Sequence, residues 1–188
     1  MRLFYAVFLP QEVQKALAEA QRRLDPFKGW KRTPPHQLHL TLLFLGEVPE
    51  EEVAGLLELG HRLARALPPF TARLRGTGYF PNEGSPRVWF AKVEGGGFSP
   101  LAEGLRAGAK DPDPKPFVPH ITLARKKGPA PRVGPVVFGL EFPVEEFALV
   151  QSILKPKGPE YKILEKFPLR GEHERGEEES PGKRSEDD

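Results

Sequence analysis

Cysteine is absent from this chain of 188 residues, which removes disulfides and thiolate metal sites from consideration. Long apolar runs are missing as well, and none approaches the roughly 20 residues of a membrane-spanning helix. The opening stretch, MRLFYAVFLP, is too short and too alternating for a secretory signal, so a cytoplasmic location is expected. No glycine-rich phosphate loop follows a strand, which disfavours a dinucleotide fold. No serine sits on a nucleophile elbow, since Ser85, Ser99 and Ser152 read as turn or strand residues. The HExxH spacing is absent and carboxylates do not cluster near the histidines. A metal site built from His36, His39 and His120 is therefore the weaker reading, and neither metal nor cofactor is expected.

Charge is present but unevenly placed. The whole chain carries 28 Lys and Arg against 26 Asp and Glu. From Gly171 to Asp188 eight acids face three bases, which leaves 25 bases against 18 acids in the body. A basic body suits a phosphate-rich ligand, although scattered surface cations also serve solubility. The segment 170–188 has almost no apolar residue with which to offset the entropy of ordering, so it is expected to be a disordered acidic tail behind a folded body of residues 1–169. The arginine content, the 22 prolines and the missing cysteine suit a thermophile.

The hydrophobic pattern gives an alternation of strands and helices. Residues 2–9 are apolar on both faces, as in a strand covered on two sides. Pro10 opens a helix to about Leu24 with Val13, Leu17, Ala20 and Leu24 on one stripe. Residues 25–37 read as a loop, then a strand from Leu38 to about Gly46. Pro49 and three glutamates start a second helix, which ends at Pro68-Pro69. Two strands follow, 70–80 and 86–93. Ser99 as N-cap begins a short third helix, and strands are expected at 117–124, 136–142, 146–155 and 161–169. This order predicts a mixed α+β fold with largely antiparallel sheet.

Two of these strands carry the same tetrad, His39-Leu40-Thr41-Leu42 and His120-Ile121-Thr122-Leu123, 81 positions apart. In a strand, residues two apart share a face, so each tetrad presents an imidazole beside a hydroxyl and turns its aliphatic residues into the core. An apolar-Thr-apolar triplet follows a given histidine by chance roughly once in a hundred cases, so two among five histidines point to function. Imidazoles on two sides of a cleft serve as acid and base. Threonine hydroxyls beside them donate to non-bridging oxygens, which suits in-line displacement at phosphorus. Nothing in the two tetrads distinguishes the acid from the base.

The paired tetrads, together with MRLFYAVFLP, PPHQLHLTLLFLGEV, PFVPHITLAR and YKILEKFPL, resemble the two-histidine phosphoesterase superfamily, and within it the bacterial and archaeal RNA 2′,3′-cyclic phosphodiesterases, historically named 2′-5′ RNA ligases. The likeness spans residues 1–169. It implies a bilobal α+β fold, with two lobes of antiparallel sheet related by a pseudo-two-fold axis, helices outside and a central cleft. It also implies metal-independent opening of an RNA-terminal 2′,3′-cyclic phosphate to a 2′-phosphate by a monomer. His120 would be the base that activates water and His39 the acid to the leaving 3′ oxygen. Thr41, Thr122 and Arg125 would hold the phosphate. Trp30, in a loop among Lys28, Lys31 and Arg32, is the aromatic residue expected to touch a nucleotide, ahead of Tyr5, Phe44 and Phe117. Expected partners are RNA ends bearing the cyclic phosphate, tRNA fragments or nucleotides, and no membrane. The alternatives are reversible 2′-5′ ligation of tRNA halves by the same histidines, a nucleotide-binding module without chemistry, and RNA binding through the basic body alone. His36, His61 and His173 are read as surface, structural and tail residues.

Overall fold

The computed structural model describes residues 1–172. His173 and nearly all of the acidic tail lie outside the described residues. The chain runs β1 (Arg2–Phe8), α1 (Gln11–Gln21), β2 (Trp30–Arg32), β3 (His39–Glu47), α2 (Val53–Ala66), β4 (Phe70–Phe80), β5 (Val88–Glu94), α3 (Phe98–Gly108), β6 (His120–Lys126), β7 (Val137–Val144), β8 (Glu146–Lys155) and β9 (Gly158–Pro168).

All nine strands join one sheet in the order β7-β4-β5-β6-β3-β1-β8-β9, and β2 pairs with the far end of β6. Every pairing is antiparallel. The order divides into two matching halves, β6-β5-β4-β7 and β3-β1-β8-β9, each with its tetrad strand innermost. In each half the tetrad strand is reached from its sheet neighbour by way of a helix, β1-α1-β3 and β5-α3-β6. The two expected lobes are thus halves of one continuous sheet. Their seam is a single register pair, Leu40 with Ile121.

Strand β1 shows why its sequence is apolar on both faces. Leu3, Tyr5 and Val7 join the main core beneath the helices, while Phe4 and Ala6 join Ala148 and Val150 in a second cluster on the opposite face. The α1 stripe is buried as its spacing requires, at Val13, Leu17 and Ala20. Prolines within strands fall on β7 (Pro143) and β9 (Pro159, Pro168), the two outer strands, where a missing N–H breaks no ladder on the open side. Helix α2 approaches β9 closely at Gly60, where a Cβ would lie 2.5 Å from the Phe167 ring. No described helix is long and apolar enough to cross a membrane.

The structure departs from the sequence reading in local ways. Helix α3 begins at Phe98, with Gly97 before it, and Ser99 makes no capping bond. Fully buried Phe98 anchors that start, and a Cβ at Gly97 would collide with the Phe70 ring. The segment 25–37 is not all loop, since it contains β2. Beyond β9 the backbone N–H groups of Arg170, Gly171 and Glu172 donate to the carbonyls of Ala64, Leu67 and Arg65, which holds the chain against the end of α2.

Candidate active site

The Leu40–Ile121 pair sits at equivalent positions of the two tetrads, and antiparallel pairing around it sets His39 opposite Thr122 and Thr41 opposite His120. Both aliphatic residues are fully buried. Their neighbours therefore face the other way, and His39, Thr41, His120 and Thr122 line one cleft of about 500 Å³ on the sheet face away from the helices. Arg125 lines the same cleft, brought there by a register shift in the β5–β6 pairing between Trp89 and Phe90.

Each imidazole is oriented the same way. Nδ1–H of His39 donates to the Gln37 carbonyl at 2.7 Å, and Nδ1–H of His120 donates to the Val118 carbonyl at 2.7 Å. A carbonyl can only accept, so this bond fixes the tautomer and leaves Nε2 of each ring as the unprotonated nitrogen of the neutral imidazole. The two sites then differ. Nε2 of His39 meets the Thr41 hydroxyl at 3.0 Å, and the ring is walled by Phe4, Phe8 and Tyr161. His120 is less deeply buried, edge-on to Phe80 and Phe90, and its Nε2 has no protein partner among the described residues.

Both imidazoles have their pKa lowered. For His39, burial is the main cause, opposed by the Gln37 bond and reinforced by the charges of His120 and Arg125. For His120, burial again leads, opposed by the Val118 bond and reinforced by Arg125. Arg125 also acts on Tyr161, whose phenol is raised by burial and pulled back by that charge. One guanidinium is thus felt by three groups around the same space. Among the described residues the cleft is lined by the cations Arg2, Lys31, Arg32 and Arg125 and by no carboxylate. Such a lining favours an anion, and an anion bound there would favour the imidazolium form of either ring.

Trp30 is placed elsewhere, which corrects its expected contact with a nucleotide. It is buried, its indole N–H donates to the Pro131 carbonyl at 2.8 Å, its ring packs beside Tyr79, and Lys126 lies over it. In the β2–β6 pairing Lys31 and Arg32 are exposed while Trp30 turns inward. Phe44, 53% exposed on β3, and Tyr161 on β9 supply the aromatic wall instead. Tyr5 is a core residue whose hydroxyl donates to the Leu56 carbonyl, and Phe117 packs on the main core. His36 is exposed outside the cleft, and His61 pairs with Glu165 at 2.7 Å, binding α2 to β9. No three His, Cys, Asp or Glu residues converge as metal ligands among the described residues.

Three contributors were not singled out by sequence. Gln37 orients His39 through its carbonyl, and its side-chain amide donates to the Pro159 carbonyl at 2.7 Å, so the β8–β9 turn is fastened to the strand that carries the first tetrad. Gln21, 2% exposed, donates to the carbonyls of Thr33 at 2.8 Å and Leu123 at 2.9 Å, binding α1 to β6 and to the residue that follows β2. Tyr161 faces the cleft; alternation along β9 was the available signal, but its partner strand was not known.

Comparison with known proteins places this geometry. The family described as LigT like Phosphoesterase matches residues 7–90 and 95–161. The chain is 68% identical to the RNA 2′,3′-cyclic phosphodiesterase of Thermus thermophilus, over the full length of both. It is 32% identical to the protein of that name from Escherichia coli, over 89% of this chain and 96% of that one. A crystal structure of a Thermus thermophilus protein superposes with a TM-score of 0.88 at 69% identity, covering 92% of this chain and 100% of the other. Escherichia coli LigT in complex with 3′-AMP superposes with a TM-score of 0.77 at 30% identity, covering 89% and 97%. The chain belongs to the LigT-like phosphoesterases of the two-histidine superfamily that its paired tetrads resemble.

Proposed function

We propose that this protein hydrolyses RNA-terminal 2′,3′-cyclic phosphates to 2′-phosphates. The observation that carries the reading is the meeting of both tetrads in one cleft lined by cations, each imidazole with Nδ1 committed to a carbonyl and Nε2 left for chemistry. The relatives' shared name, RNA 2′,3′-cyclic phosphodiesterase, and the binding of 3′-AMP by the Escherichia coli protein support the same substrate class.

In this reading a water attacks phosphorus and loses a proton to Nε2 of His120, the more open of the two rings. The bond from phosphorus to the 3′ oxygen breaks on the opposite side, and that oxygen takes a proton from Nε2 of His39. The product carries a 2′-phosphate and a 3′-hydroxyl, and exchange with solvent returns the proton from His120 to His39. Thr41, Thr122 and Arg125 hold the non-bridging oxygens, the arginine through its planar fork. The anionic substrate itself favours the imidazolium form that His39 needs, against the lowering caused by burial.

The test is incubation with an RNA ending in a 2′,3′-cyclic phosphate in excess EDTA, with identification of the product. A 2′-phosphate is expected, with loss of at least about 100-fold in rate for His39→Ala and for His120→Ala. Activity abolished by EDTA and restored by zinc, or full activity in either variant, would overturn the mechanism.

A further inference from the structure

The cleft is lopsided about the tetrads. From the paired histidines its lining continues over β1, β8 and β9, while no residue of β4, β5 or β7 contributes to it. The pseudo-symmetry of the sheet therefore does not extend to the space available to a ligand. About 500 Å³ is the size of a site for a drug-sized molecule, more than a phosphate alone would fill.

The floor of this extension is apolar although it lies on the face away from the helices. Phe4, Ala6, Ala148 and Val150 form a hydrophobic cluster separate from the main core, with Tyr161 packed against it. Phe44 stands 53% exposed beside Phe4, and Leu154 and Ile163 are exposed at 74% and 43%. At the far end Arg2 faces Ser152 across the β1–β8 pairing. Arg2 has no carboxylate within ion-pair distance among the described residues. Glu47, its register partner on β3, holds the Met1 ammonium at 3.3 Å instead. Aromatic faces along a groove with cations and no carboxylate are the combination that binds single-stranded nucleic acid, with bases stacking and phosphates meeting the charges.

Spacing assigns Arg2 its role. Ala6 pairs with Thr41, and Arg2 lies four residues along β1 from Ala6. That is roughly 13 Å at about 3.3 Å per residue. A mononucleotide cyclic phosphate has its only phosphorus at the tetrads and offers nothing to Arg2. A longer strand does. Building on the phosphodiesterase reading, we infer that the trough over β1, β8 and β9 is a subsite for the nucleotides 5′ to the reacting terminus. Phe44 and Tyr161 stack bases there and Arg2 holds an upstream phosphate, so the protein selects oligonucleotide ends over free cyclic nucleotides.

The experiment compares adenosine 2′,3′-cyclic phosphate with a tetranucleotide ending in the same group, by kcat/KM and by equilibrium binding. The wild type should favour the tetranucleotide by tenfold or more, expressed mainly in KM. Phe44→Ala should lower that preference about tenfold. Arg2→Ala should lower it too and reduce the salt dependence of tetranucleotide binding by about 0.7 in log–log slope, while Arg2→Lys keeps most of both. Equal kcat/KM for the two substrates, or a preference indifferent to both alanine variants, overturns the subsite and leaves the phosphodiesterase reading standing. Length-dependent binding that Arg2→Ala weakens, with turnover of neither substrate, overturns the phosphodiesterase reading and leaves the subsite.

Discussion

Leu40 and Ile121 hold the same place in two tetrads and are the register pair through which strand β3 meets strand β6. A contact between equivalent residues is what a local two-fold axis requires. Its position, one residue from each histidine, accounts for side chains 81 positions apart sharing one cleft.

The pH dependence of kcat/KM should be a bell centred on the acid side of pH 6.5. Both imidazoles have lowered pKa values, and a reaction needing one protonated and one neutral ring is fastest between them, whichever ring is the acid. Arg125→Gln removes a charge that lowers both, so the whole bell should move toward alkaline pH in addition to weaker phosphate binding. A wild-type bell centred above 6.5, or an unmoved bell in the variant, would contradict the assignment.

Folding stability should carry the same signature. A histidine whose native pKa lies below its unfolded value binds fewer protons when folded, so its contribution is complete above pH 6.5 and is lost as pH falls from there through the native pKa. Urea denaturation at pH 8 and pH 5 should show a smaller difference in unfolding free energy for His39→Gln than for the wild type. An equal or larger difference in the variant would show that His39 is not held neutral by burial.

Gln21→Leu should be strongly destabilising for a core change of similar size. It leaves the part-buried Thr33 carbonyl without this donor and the buried Leu123 carbonyl with only its bond from the Thr33 N–H, at a cost of about 1–3 kcal/mol. For a chain of this length that corresponds to a fall in Tm of roughly 2–12 °C. Gln21→Glu should fall further at neutral pH, because a carboxylate offers no donor to either carbonyl. A change below about 2 °C in both would show that the bridge contributes nothing.

Gln37→Ala separates two roles of one residue. The backbone carbonyl that orients His39 survives, while the amide that fastens the β8–β9 turn is lost. KM should rise severalfold, in line with a hydrogen bond worth about 1 kcal/mol, with the pH profile unchanged. A displaced pH profile would mean that the side chain, and not the carbonyl, sets the state of His39.

Much of this arrangement was legible in the sequence because it is local. The period of two in HLTL and HITL put His and Thr on one face, and the unbroken apolar run of β1 announced a strand covered on both sides. Non-local facts were not legible. Strand β2 is only three residues long and exists because β6 passes beside it, so no periodicity could mark it. Trp30 sat among cations in the sequence, yet its indole is drawn inward by the Pro131 carbonyl and the Tyr79 ring, while Lys31 and Arg32 stay exposed. The Ser99-Pro100 pair looked like a helix start, but burial of Phe98 placed that start earlier. Arg2 and Tyr161 share the cleft only through the order of strands β1, β8 and β9, which no single segment encodes.

The seam at Leu40 and Ile121 also bears on the shape of the reaction. Five-coordinate phosphorus in an in-line displacement has two apical oxygens and two equatorial non-bridging oxygens, each pair exchanged by a half-turn about one axis. The protein offers two imidazoles and two hydroxyls exchanged by a half-turn about its own axis at the seam. The match stops at the seam, because Arg125 stands three residues after Thr122 where Phe44 stands three after Thr41, and the His39 ring is the more enclosed of the two. In the proposed reaction, direction would be set by these differences, by what occupies the apical positions, water or an alcohol, and by a trough that extends to one side only.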